Sequence, residues 1–138
     1  MPVIYVARSQ ALQKWGAEVG LSKHVYKVGI GEGKAAEIEA QMNGESLAGQ
    51  TDWKLVKLQK LDQAVEEDQA IARLAGREKP VDPNFYPKLR GARGIFKVKL
   101  ENVGNAMLVQ QALGTGEMKI EKVKPADVAA YLIRNAIE

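Results

Sequence analysis

The 138-residue chain has no cysteine and a single histidine, His24. The first absence removes disulfides, thiolate zinc centres and cysteine nucleophiles together, and it fits a reducing compartment. The second leaves a nitrogen-ligated metal site without a ligand set. His24 follows Leu21-Ser22-Lys23, which offers no partner for a base or a ligand, so it reads as a solvent-facing residue in a loop. No motif supports a Ser-His-Asp triad. A magnesium site made of carboxylates is left open. No apolar run approaches the roughly 18 residues that would span a membrane. The opening Met-Pro-Val-Ile-Tyr lacks the basic start of a secretory signal. The expectation is a cytoplasmic protein with no membrane partner. Internal repeats, low-complexity tracts and a clear domain boundary are also missing.

What is present suits one globular domain, with 46% hydrophobic and 27% charged residues. The net charge of +3 is unevenly spread. Residues 1–69 hold eight Lys/Arg against ten Asp/Glu, and residues 70–138 hold twelve against seven. Arg77, Lys79, Lys88, Arg90, Arg93, Lys97 and Lys99 oppose only Glu78 and Asp82 within one stretch. Beside Phe85, Tyr86 and Phe96 these cations can meet phosphates and bases of DNA or RNA. They can equally be a solvated loop and the outer face of a strand.

Val3-Ile4-Tyr5-Val6-Ala7 and Val25-Tyr26-Lys27-Val28-Gly29-Ile30 read as strands. Ser9 can cap a helix to about Val19. Gly29, Gly31 and Gly33 read as a turn into an amphipathic helix from Lys34 to Met42, with Ile38 and Met42 on its apolar side. Trp53 to Leu61 reads as a third strand, and its lysines suggest an exposed edge. Asp62 can cap a helix to about Ala75, which Gly76 ends. Three prolines and two glycines make residues 77–94 irregular. Gly94 to Leu100 alternates as a half-buried strand, Asn102 to Leu113 reads as a helix, and Met118 to Val123 as a short strand. Pro125 and Asp127 open a last helix lined by Val128, Tyr131, Leu132 and Ile137. This order indicates an α+β fold with a small mixed or antiparallel sheet flanked by helices.

Gly29, Gly31, Gly33 and Lys34 follow a strand and precede a helix, as phosphate-binding loops do. Their spacing fits neither a dinucleotide fingerprint nor a Walker A loop. A nucleotide-binding enzyme using this turn is therefore a distant alternative. Glu66, Glu67 and Asp68 cluster at a helix start, where the helix dipole alone favours them. One of them can also serve as ligand to a hard cation.

Val3-Ile4-Tyr5 and Lys27-Val28-Gly29 resemble the two triplets of the GIY-YIG nuclease superfamily. Tyr26-Lys27-Val28-Gly29 is similar to the Tyr-Lys-Ile-Gly form of a phage-associated branch. The resemblance covers residues 2–103 or so, as a GIY-YIG-like core, and leaves 104–138 as a helical extension of a single domain. It implies Tyr5 as the residue that activates water, with Glu67, or Glu66, as the ligand of one Mg2+. The family's helix arginine is missing, and Glu37 stands near its place. Lys34 or Arg73 would have to take over that charge. The resemblance implies phosphate contacts at Lys27, Lys34, Lys88, Arg90, Arg93 and Lys97. The expectation is a nuclease-related, nucleic-acid-associated domain with a degenerate site and weak or no phosphodiester hydrolysis. The alternative is a protein-interaction or structural module that kept the fold, with a protein partner or a homodimer formed through the C-terminal helices.

Overall fold

The structure is a computed structural model that describes residues 2–20, 23–81, 94–114 and 123–137, with the side chains of 110–114 outside the description. It is an α+β fold. Its strands are β1 (Pro2–Ser9), β2 (Val25–Glu32), β3 (Trp53–Lys60), β4 (Lys79–Pro80) and β5 (Ile95–Lys97). Its helices are α1 (Gln10–Glu18), α2 (Ala35–Gly44), α3 (Glu67–Ala75), α4 (Leu100–Gly114) and α5 (Pro125–Ile137), with a 3-10 turn at Leu47–Gly49. The sheet order is β3-β1-β2-β5-β4, and all four pairings are antiparallel.

β1 is the central strand of the long part of the sheet. Tyr5 pairs with Gly29 on one side and with Leu58 on the other. Strand residues alternate between faces, so each face recruits its own core. Val3, Tyr5 and Ala7 pack with Leu12, Ile38, Met42 and Trp53 on one face. Ile4 and Val6 pack with Tyr26, Val28, Leu74, Phe96, Leu132 and Ile133 on the other. α2 therefore covers the Tyr5 face, and α3, α4 and α5 cover the opposite one. The β1–β3 register shifts between Val6 and Ala7, whose partners are Lys57 and Leu55. The skipped Val56 is a bulge residue that turns to the second core.

Local chemistry explains most boundaries. Ser9 Oγ accepts the Leu12 N–H at 3.1 Å as the N-cap of α1. Asp52 supports that cap twice: its carboxylate accepts from the Ser9 hydroxyl, and from the Ala11 N–H at 3.0 Å. These bonds hold its carboxyl below the ordinary range, against the opposing effect of burial, which is the largest single influence. α2 lies along the outer side of β3. Asn43 accepts the Trp53 N–H at 2.7 Å and donates to the Trp53 carbonyl at 3.1 Å, while Glu39 accepts the Leu55 N–H at 3.3 Å. Lys54, Lys57 and Lys60 are exposed on this edge strand, as its lysines suggested.

Several expectations from the sequence need correction. Gly29 and Gly31 lie inside β2 and only Gly33, at φ +101°, belongs to the turn, because β1 pairs with β2 as far as Glu32. Asp62 does not cap α3. The helix starts at Glu67, where Glu67 and Asp68 meet its positive end. The segment after Arg77 is not wholly irregular: Lys79 and Pro80 form β4 against β5. Pro80 is tolerated there because β4 is an edge strand, where a missing N–H need not break a ladder. β5 ends at Lys97, and α4 begins at Leu100 because Glu78 accepts the Lys99 N–H at 3.0 Å and the Asn102 amide at 3.0 Å. His24 is half-buried rather than solvent-facing, and burial first, with Lys23 second, pulls its pKa down. The strand expected at 118–123 falls almost wholly outside the described residues. α5 matches its expected start, and Val128 and Leu132 are fully buried.

Candidate functional site around Tyr5

Gly29 explains how Tyr5 sits. Its φ is not positive, so glycine is not needed there for backbone freedom. It is needed for space. A Cβ at Gly29 would collide with the Tyr5 hydroxyl and lie 2.6 Å from its Cζ. The ring therefore lies flat across the strand over Gly29, and reaches as far as Gly31. Tyr5 is 8% exposed. Burial first, then the charges of Glu67 and Glu45, push its pKa up to about 12.

Glu67 reaches this face from α3 by crossing the edge of β2. The ladder to β5 stops at Lys27, so the Ile30 N–H lies beyond β5 on that edge. Glu67 Oε2 accepts from it at 3.4 Å, a long bond, and Oε1 stands 3.9 Å from Lys27 Nζ. Lys27 itself is buried, with its Nζ donating to the Val28 carbonyl at 3.3 Å. Gly94, at φ +72°, closes over this group: a Cβ there would strike the Val28 carbonyl oxygen and come within 3.2 Å of Lys27 Nζ. The Val28 N–H in turn donates to the Gly94 carbonyl at 2.8 Å. Tyr5, Gly29, Lys27, Glu67 and Gly94 thus form one packed group where β2 loses its neighbour.

The other candidate residues are distributed as follows. Glu37 lies in the first turn of α2, and its carboxylate meets the space beside Gly33. Lys34 precedes α2 and is exposed. Glu66 is the exposed N-cap residue of α3, and Arg73 is exposed in its last turn. Lys97 pairs with Lys79 and with Val25, so both lysines share the sheet face of Tyr5. Lys88, Arg90 and Arg93 lie outside the described residues. Sequence reasoning missed Gly94 and Glu45. Gly94 gave a faint signal as a glycine directly before a strand, and Glu45 gave none.

With its pKa near 12, Tyr5 carries a phenolate in only about one molecule in 10⁵ at neutral pH. That is far from the matched pKa a general base requires. Among the described residues no three His, Asp or Glu side chains gather to hold a metal ion. Glu67, the anchor the resemblance implies for Mg2+, turns one oxygen to Lys27 at 3.9 Å and the other to the Ile30 N–H at 3.4 Å. No described helix is long and apolar enough to cross a membrane. Comparison with protein-family models, curated proteins and solved structures found no match.

Proposed function

We propose that this chain is a nuclease-related, nucleic-acid-associated domain of the GIY-YIG kind that has little or no phosphodiester hydrolysis, working in the cytoplasm. The observation that carries the reading is Tyr5 lying over Gly29 with Glu67 brought to the same edge of β2. These are the residues that the resemblance assigned to the site, and they come from segments more than 60 positions apart. The loss of hydrolysis follows from chemistry. Glu45 and Glu67 act on Tyr5, its nearest cation is buried against Glu67, and Tyr5 holds its proton far above neutral pH. Phosphates would instead meet Lys34 and the Lys79–Lys97 pair on the same face of the sheet.

Fluorescence anisotropy with short single- and double-stranded DNA and RNA tests this. The expected result is binding at low salt that weakens linearly on a log–log plot as salt rises. No binding at low ionic strength would refute nucleic-acid association and leave the protein-interaction module. Magnesium-dependent cleavage lost in Tyr5→Phe would refute the inactive reading and establish a working nuclease.

A further inference from the structure

Asn43 is followed by Gly44, the only Asn-Gly step in the 138 residues. This dipeptide is the one most open to deamidation, because glycine has no side chain to hinder its own backbone nitrogen. That nitrogen can attack the carbonyl carbon of the asparagine side chain, closing a succinimide ring and expelling ammonia. Water then opens the ring at either carbonyl, giving aspartate or isoaspartate. One water is consumed, one ammonia is released, and no atom is oxidised or reduced.

The fold places this step at a seam. Asn43 and Gly44 are the last two residues of α2. Asn43 is half-buried, and its side chain clasps Trp53, accepting the Trp53 N–H at 2.7 Å and donating to the Trp53 carbonyl at 3.1 Å. Trp53 is itself fixed: it is 1% exposed, and its indole N–H donates to the Leu47 carbonyl at 2.9 Å. The clasp therefore withholds the amide carbon from the Gly44 nitrogen. A helical N–H also points along the axis and not at the side chain. Gly44, by contrast, is exposed, and a Cβ built on it meets nothing within 4 Å among the described residues. Helix ends fray more readily than a core opens. One opening of this last turn frees both reacting groups.

The product does not suit the place its precursor fills. A carboxylate still accepts the Trp53 N–H, but it has no proton for the Trp53 carbonyl, so oxygen faces oxygen where a hydrogen bond was. The new charge lies in the last turn of α2, at the negative end of the helix dipole. It also stands four residues after Glu39, a like-charge pair on one side of the helix. Isoaspartate lengthens the backbone path at the same point. Ile38 and Met42, just before it on α2, are buried in the core that holds Tyr5. Loosening at Asn43 therefore reaches the Tyr5 face.

We propose that Asn43 is a deamidation site that the Trp53 clasp holds closed in the folded chain, and that its conversion loosens α2 from β3. The site is independent of nucleic-acid association, and either can fail alone.

The full chain is incubated at mildly alkaline pH with and without guanidinium chloride, and peptide mass mapping follows the amide-to-acid conversion. The expected result in denaturant is conversion at Asn43 ahead of every other asparagine. In the folded chain it should be slower by about tenfold or more, because only the opened turn reacts. Gly44→Ala, for which the open space leaves room, should stay folded and slow the conversion several-fold in both states. Asn43→Asp, which installs the product side chain, should raise the unfolding equilibrium constant about tenfold in a denaturant titration. Equal rates in the folded and denatured chain overturn the proposal, as does conversion led by another asparagine. An Asn43→Asp chain as stable as wild type overturns it too. The rates are read on the wild-type chain, so they decide the matter even where a variant does not fold.

Discussion

Gly29→Ala is the sharpest probe of the Tyr5 group. Elsewhere in a strand this change is mildly favourable, by about 0.4–1 kcal/mol, because alanine loses less chain entropy on folding. Here the new methyl would stand 2.6 Å from Tyr5 Cζ and closer still to the hydroxyl. The ring cannot lift freely, since Ile38 and the α2 side of the core cover it. Overpacking of this kind typically costs about 1–3 kcal/mol. The net expectation is a loss of roughly 1–2 kcal/mol in urea unfolding, with an unchanged m value. The decisive measurement is the same substitution in a Tyr5→Val background. Tyr5→Val alone should destabilise, through lost burial, but adding Gly29→Ala to it should then be neutral or stabilising. The cycle predicts a coupling of about 1–3 kcal/mol between the two positions. If Gly29→Ala costs the same with tyrosine or valine at position 5, the ring does not lie over Gly29, and the account of the site falls with it.

Four further outcomes follow from other contacts of the fold. The folded chain keeps the Tyr5 proton up to about 12, whereas an unfolded tyrosine releases it near 10. Stability from this group is therefore complete below pH 10 and lost between 10 and 12, so Tyr5→Phe should shift the midpoint of alkaline unfolding upward. Ser9→Ala should cost about 1 kcal/mol through loss of the α1 cap. Asp52→Asn should destabilise at neutral pH, and its difference from wild type should vanish as pH falls well below 3.8, because the folded carboxyl titrates beneath that ordinary value. Leu132→Ala, at a fully buried position, should cost about 2–5 kcal/mol in thermal or urea unfolding.

The parts of the fold that were readable in advance are those with strong local periodicity. β1, β2, β3 and α5 carry their pattern in adjacent residues, and each appears where the pattern places it. The start of α3 was misread because Asp62 looks like a cap in sequence, while the helix dipole acts on Glu67 and Asp68 further on. β4 is two residues long and exists only because β5 lies beside it. The site divides in the same way. Tyr5 and Gly29 were singled out through the two triplets of the resemblance, but their direct pairing shows only in the β1–β2 register. The meeting of Glu67 with Lys27 depends on how α3 crosses the edge of β2, which no spacing encodes. His24, taken alone, looked solvated.

The outer side of β3 has a consequence for assembly. The Asn43 side chain offers Trp53 a donor and an acceptor together, as the backbone of a neighbouring strand would. Glu39 repeats half of this at Leu55. Beyond them, a second copy docking antiparallel about Lys57 would set that ammonium against its twin and bring Lys54 level with Lys60. Like charges directly opposite are destabilising. The sheet therefore resists growth along β3. Any partner protein, or a second copy of the chain, is steered to the helices or to the short β4 side.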